Sequence, residues 1–298
     1  MRKKNGLGYY SLRFPFLSMK GIITFCGKSM KQTMVTIGIL AGVAVIYSGA
    51  RLLASSPVTD TFTDSSKIAS TENLTVDTGN GQVKLSLTLD WTCGDAWIDS
   101  RDSKSYSTVL ISGQCWMAQN MNVGTLTAGA GNQGTSCPSA AEIEKYCYSN
   151  NEANCTTYGG LYQWDQAMCG SATAGAQGIC PVGWHIPTHD EYTTLERAVC
   201  DSGTCATDFP FDTSTTGWRG TNEGSSLKSG GDSGFNGLLA GDRNATGSFR
   251  SLTTYGSFWT SLQSGANAWK RYLYSGYATV YRSTYGKLNG FSVRCLKD

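Results

Sequence analysis

Two histidines, His185 and His189, lie four residues apart in "WHIPTHDEY". On one helix that spacing would let both imidazoles share a metal ion. Pro187 stands between them, and Thr188 followed by Glu191 marks a helix that begins at about Thr188, so the pair does not share a face. His185 is therefore expected as a packed structural residue, and no metal ligand is assigned. Asp90, Asp95, Asp99 and Asp102 cluster in "DWTCGDAWIDSRD". They lack the D-x-D-x-D-G order of a calcium loop, so a solvated turn is the plainer reading. No Ser-His-Asp arrangement is legible, and no catalytic residue is assigned.

The densest chemistry is aromatic. "NAWKRYLYSGYATVYRSTYG", residues 267–286, holds five of the 15 tyrosines and no acid. Read as strands, Trp269, Arg271 and Leu273 point one way and Lys270, Tyr272 and Tyr274 the other. Likewise Ala278, Val280 and Arg282 oppose Thr279, Tyr281 and Ser283, with Ser275 to Tyr277 as the connecting turn. Tyr favours strands in any case, which accounts for one or two of these rings. It does not account for one face and its loops being almost wholly Tyr, Ser, Thr and Gly. That combination suits a binding surface, because Tyr gives large contact area at low entropy cost and Ser and Gly adapt. The candidate ligand-contacting residues are Lys270, Tyr272, Tyr274, Ser275, Tyr277, Thr279, Tyr281, Ser283, Thr284, Tyr285 and Asn289. Between Arg243 and Lys297 lie eight basic residues and no acid. Lys270 and Lys287 would bias such a face towards anionic ligands.

Those residues need a frame to hold them. "GGLYQWDQAMCG" places Leu161, Trp164 and Met168 at helical spacing. "PTHDEYTTLERAVCD" opens on a capping box, Thr188 with Glu191, and carries the stripe Tyr192, Leu195, Val199. The last third breaks into short strands separated by Gly: "FNGLLAG", "GSFRS", "GSFWTS", "AWKRYLY", "ATVYRS" and "GFSVRCL". Two helices followed by short antiparallel strands predict an α+β fold. Earlier, Val83, Leu85, Leu87 and Leu89 alternate with polar residues behind Gly79-Asn80-Gly81, which predicts a hairpin.

The chain of 298 residues divides by texture into a basic stretch 1–33, an apolar stretch 34–54, a Ser/Thr-rich stalk with the hairpin over 55–90, and a main domain over 91–298. All eight tryptophans lie in the last. Residues 1–59 carry eight Lys or Arg and no acid, leaving 16 basic against 22 acidic residues beyond them, a net of −6. That balance argues against nucleic acid as a partner. "MVTIGILAGVAVIYSGA", with Lys28 and Lys31 before it, is read as a cleaved secretory signal, with translation starting at Met19 or Met30, or as a retained membrane anchor. Either way the body is expected outside the cytoplasm, at the cell surface or extracellular. Of 11 cysteines only Cys26 precedes the apolar stretch. The ten that follow read as a disulfide framework, with roughly a thousand possible pairings. No C-x-x-C occurs, which argues against structural zinc.

Five segments carry a family resemblance: "GQCWMAQNMNVGT" at 113–125, "YGGLYQWDQAM" at 158–168, "ICPVGWHIPTHDEYTTLE" at 179–196, "GTNEGSSLK" at 220–228 and "NGFSVRCLKD" at 289–298. In this order they resemble the Fibrobacter succinogenes major paralogous domain, over about residues 91–298. The resemblance implies a secreted or surface domain with a fold similar to C-type lectins and formylglycine-generating enzymes, and no known reaction. It implies a long-range Cys180–Cys295 bridge, for which the chain-entropy model gives about 4 to 5 kcal/mol. Cys147–Cys155 and Cys200–Cys205 are expected as local clips, with Cys93–Cys115 and Cys137–Cys169 completing the set. C-type lectin-like loops sometimes hold calcium, and Asn222-Glu223 would be the place for it; otherwise no cofactor is expected. A formylglycine-generating type of enzyme needs a reactive thiolate, which full pairing would remove.

The expected function is ligand binding at a bacterial surface, as a monomer, with a protein or glycan partner. A structural surface or filament subunit is the alternative. Every face residue from Tyr272 to Tyr285 named above, with Gly276, has a codon reachable from AAC or AAT by changing adenines alone, whereas Trp269 and Lys270 do not. The pattern resembles the variable region of a diversity-generating retroelement target, spanning residues 272–289.

Overall fold

The computed structural model describes residues 91–298 throughout, and before them only the strand backbones Ile39–Leu40, Val43–Ala44, Glu72–Asp77 and Lys84–Leu89. The signal-or-anchor expectation for 34–54 lies largely outside the described residues, as do most of the stalk and Asp90. Among the described residues no helix is long and apolar enough to cross a membrane. The chain separates into two units, Met1–Trp91 and Thr92–Asp298. In the first, Glu72–Asp77 pairs antiparallel with Lys84–Leu89, Val76 opposite Leu85 and Leu74 opposite Leu87. The alternating sequence thus supplies one strand of an antiparallel pair.

The second unit mixes short helices with two four-stranded antiparallel sheets. In chain order its main strands are β1 Thr108–Ile111, β2 Gln114–Met117, β3 Trp184–His185, β4 Gly217–Arg219, β5 Tyr255–Ser264, β6 Asn267–Tyr274, β7 Val280–Gly286 and β8 Leu296–Lys297. The helices are α1 Glu152–Tyr158, α2 Trp164–Ala167, α3 His189–Ala198, α4 Cys205–Asp208 and α5 Glu223–Leu227. One sheet runs β3-β8-β2-β1 and the other β4-β7-β6-β5.

Helix α3 is the longest, and the reason is local. Thr188 accepts from the backbone N–H of Glu191, and the Glu191 carboxylate accepts from the backbone N–H of Thr188 at 2.7 Å, closing a reciprocal capping box. Its buried side, Tyr192 and Leu195, joins Trp116, Phe235, Phe258, Leu273 and Val280 in the main core. Trp116 is fully buried, its ring 5.1 Å from Tyr192 and 5.5 Å from Phe235.

The helix expected across "GGLYQWDQAMCG" contracts to the single turn α2. Leu161 bridges to Tyr146 and Tyr162 to Phe291, so the first half of that segment is drawn into extended pairing. Gln163 then locks reciprocally onto Gln133, backbone N–H to side-chain oxygen in both directions. Three short helices, α1, α4 and α5, carry no apolar stripe that the sequence would reveal. "FNGLLAG" forms isolated bridges instead of a strand.

Five disulfides close the second unit: Cys93–Cys115, Cys137–Cys169, Cys147–Cys155, Cys180–Cys295 and Cys200–Cys205. The domain is disulfide-rich, and all ten cysteines after Cys26 are paired. Cys180–Cys295 spans 115 residues and ties the segment before β3 to the one before β8.

Candidate functional site

The sheet β4-β7-β6-β5 has one face on the core and one facing outwards. On the inner face Phe258, Leu273 and Val280 meet α3. Arg271 and Arg282 also point inward, onto Glu196 of α3. Arg271 Nε donates to Glu196 Oε1 at 2.5 Å, and Arg282 Nε lies 3.9 Å from Oε2. Burial holds the Glu196 carboxyl above its ordinary range, although both guanidinium groups oppose the shift. Burial and the same two arginines hold His189 neutral, its pKa lowered to about 3. Arg282 donates to the His189 Nε2, and Trp269 packs edge-on to that ring at 4.5 Å. This is a closed structural layer.

The outer face is different in kind. Register places Tyr274 opposite Tyr255, and Trp218, Tyr281, Tyr272 and Ser257 in one row across all four strands. Ser283 and Lys270 form the next row. Tyr255 and Tyr272 stack at 4.8 Å, while Trp218 lies 4.6 Å from Tyr277 and 5.1 Å from Tyr281. Above these rings opens a concavity of about 720 Å³. Asp242 and Arg250, joined as an ion pair, stand on its wall, and Phe291 closes one side. Tyr277 and Tyr285 remain 48% and 40% exposed, so the rim presents ring surface to solvent.

The turn that carries Tyr277 is braced from below. Lys228 donates to the carbonyl oxygens of Tyr274 at 3.1 Å and Tyr277 at 2.8 Å. Gly224 of α5 lies against the Thr279 carbonyl so closely that any Cβ there would collide with it. Ser225 N–H donates to the Ala278 carbonyl at 3.0 Å. The turn is thereby anchored while about half of Tyr277 stays open to solvent.

Lys270 occupies the floor. Its Nζ lies 4.6 Å from the ring centroids of Tyr272 and Tyr285, 4.5 Å from that of Phe291, and donates to Ser257 Oγ at 3.2 Å. Burial pulls its pKa down to about 8. Burial likewise raises the Tyr272 phenol, helped by its hydrogen bond with Tyr255.

A family model described as the Fibrobacter succinogenes major domain matches residues 109–297. That span is well over half of the chain and includes the whole concavity. The chain belongs to this family. No curated protein and no solved structure matches it.

Within this Fibrobacter succinogenes major domain, the candidate residues separate into two groups. Lys270, Tyr272, Tyr274, Tyr277, Tyr281, Ser283, Thr284 and Tyr285 line the concavity. Ser275 and Thr279 do not; Ser275 is exposed in the turn, and its N–H donates to the Thr254 carbonyl. Asn289 is buried, its amide donating to the Gly286 carbonyl at 2.9 Å, so it braces a turn. Ala278, expected on the core face, is exposed because β7 begins only at Val280. Lys287 donates to Gln263 and sits over the Trp164 ring at 4.1 Å, away from the concavity. Trp218, Tyr255, Asp242 and Arg250 complete the site without having been legible in the sequence.

The acidic groups considered for calcium are dispersed. Asp95 accepts from Thr92, Asp99 pairs with Arg101, and Asp102 pairs with Lys104. Glu223 is buried and accepts from the backbone N–H groups of Thr221 and Asn222. The one trio of potential metal-ligating atoms among the described residues is Cys147, Glu152 and Cys155, and both of its sulfurs belong to a disulfide. His185 is held between Asp298 at 2.7 Å and Glu191 at 3.0 Å.

Proposed function

We propose that this chain is an exported bacterial surface module that binds a ligand, without catalysis, in the aromatic concavity of the β4-β7-β6-β5 sheet, on a C-type lectin-like body. The observation that carries the reading is the concavity itself. Six aromatic side chains, Trp218, Tyr255, Tyr272, Tyr274, Tyr277 and Tyr281, converge on one face of a sheet whose other face is closed core. Preformed, ring-walled concavities with a few placed polar groups suit binding of part of a larger molecule. The five disulfides support export and leave no thiolate for formylglycine-type chemistry among the described residues. A glycan array and a surface-protein pulldown with the folded protein test the reading. Capture that Tyr277→Ala abolishes supports it; a ligand that binds equally well to Tyr277→Ala contradicts it.

The exposed rim of Tyr277 and Tyr285 favours a second reading, a structural subunit that buries this face in self-contacts. Stable assembly at micromolar concentration on size exclusion would select it. Retroelement diversification of 272–289 rests on the same geometry. The adenine-reachable Tyr272, Tyr274, Tyr277, Tyr281 and Tyr285 line the concavity, while the interleaved Leu273 and Val280 are core. A reverse-transcriptase gene and a template repeat with AAC or AAT at these positions in the flanking DNA would support it. A complete genome with neither removes it.

A further inference from the structure

Among the buried cations of the second unit, Lys270 is short of acceptors. Lys145 meets Asn122 Oδ1 at 2.7 Å and Glu152 Oε1 at 2.6 Å. Arg243 donates to the carbonyls of Gly129, Gly131 and Leu288. Arg271 has Glu196, and Arg294 has Asn120 and three carbonyls. Lys270 is 7% exposed, carries three N–H donors, and places one of them, on Ser257. No carboxylate oxygen lies within 4.0 Å of its Nζ among the described residues. Asp242, the acid on the same wall, is engaged by Arg250.

A buried ammonium without a counter-ion is costly. The three surrounding rings offset part of that cost through cation–π attraction. Their faces leave the remaining donors without oxygen partners, and this ammonium borders an open concavity. Resting on the reading of that concavity as a binding site, we infer that its ligand is an acidic saccharide, a uronic-acid residue whose carboxylate takes the vacant donors of Lys270 while its ring lies against the tyrosines.

The site's charge selects one negative charge. Asp242 and Arg250 neutralise each other, which leaves Lys270 alone, so a singly charged carboxylate matches better than a doubly charged phosphate. The walls select the rest. Tyr and Trp faces stack on the apolar side of a pyranose, and the phenol and Ser283 hydroxyls meet its hydroxyl groups. An acidic peptide would present charge without the ring and is an outcome of the test.

Charged groups reaching Lys270 are Asp242, which favours its proton, and Arg250, which opposes it; the titratable rings against it are Tyr272 and Tyr285. With burial holding the free amine near a pKa of about 8, carboxylate binding should be strongest below that pH and weaken above it, because the anion binds only the protonated form.

The experiment titrates the intact protein with an oligogalacturonate and with its methyl ester, which keeps rings and hydroxyls and removes the charge. The acid is expected to bind at least about tenfold more tightly than the ester near neutral pH. That preference should shrink steadily as pH rises past about 8 and vanish at every pH in Lys270→Met. The pH series needs no variant, so it decides even where Lys270→Met folds poorly. Equal affinity for acid and ester, no binding of the acid, or a preference that persists in folded Lys270→Met overturns the inference. So does tighter binding of an acidic peptide than of the saccharide. Binding of the ester or of a neutral glycan alone overturns it too, yet leaves the recognition reading standing, because that reading is tested separately by capture with Tyr277→Ala.

Discussion

The two faces of the β4-β7-β6-β5 sheet share one set of strands, and they treat polar groups differently. On the inner face, Arg271 and Arg282 converge on Glu196, and His189 is held neutral between them. On the outer face, Lys270 has one hydroxyl and three rings, and the tyrosines keep their edges in solvent. The inner face is packed against α3, with Glu196 Oε2 and Arg282 Nε facing each other at 3.9 Å without a hydrogen bond. The outer face leaves Lys270 with a single hydrogen-bond acceptor beside an open concavity. A sheet whose rigidity comes entirely from one side can leave the chemistry of the other side free.

The broadest way to break this contrast removes both faces at once. Strong reductant should unfold the second unit, because five bridges staple it and the longest spans 115 residues. Circular dichroism melting with and without reductant checks this, and an unchanged melting temperature would contradict it. Next in size, Arg271→Met leaves Glu196 buried beside one distant guanidinium, which should cost about 3 to 5 kcal/mol in chemical denaturation. A loss under about 1 kcal/mol would mean that the inner face is not held as described.

A smaller effect separates the frame from the site by pH. Hydrogen bonds donated to the Glu191 and Asp298 carboxylates raise the His185 pKa above its ordinary 6.5. Its stabilisation is therefore complete below about 6.5 and is lost as pH rises through the raised folded-state value. His185→Gln should flatten that slope of melting temperature against pH. Ligand affinity should instead change near the Lys270 value of about 8, so the two profiles should not coincide. The smallest expected change in stability is at the rim: Tyr277→Ala should lower the unfolding free energy by less than about 0.5 kcal/mol while weakening ligand capture. Melting as large as that of Trp269→Ala, a buried ring, would erase the distinction between faces.

Much of this contrast was legible because strand alternation is a local property. Tyr272 against Leu273, and Tyr281 against Val280 and Arg282, follow from period two alone. The α3 capping box, Thr188 with Glu191, is likewise contained within four residues. Trp218 was not legible, because it joins the site only through long-range pairing of β4 with β7. Tyr255 lies one strand earlier, opposite Tyr274 in register, and stacks diagonally on Tyr272. The burial of Lys270 depends on Phe291 and Tyr285 folding over it, and its neighbours in sequence do not signal that. The overlong helix across Leu161 shows the reverse: correct apolar spacing, overridden by bridges to Tyr146 and Phe291.

The Cys180–Cys295 bridge has one further consequence. It encloses every residue of the concavity in a covalent ring. A protease that nicks the exposed turn at Ser275 to Tyr277 would therefore release no fragment. The two pieces would stay joined and separate on a gel only after reduction. Cleavage at that exposed turn would thus leave residues 180–295 in one covalent piece until the bridge is reduced.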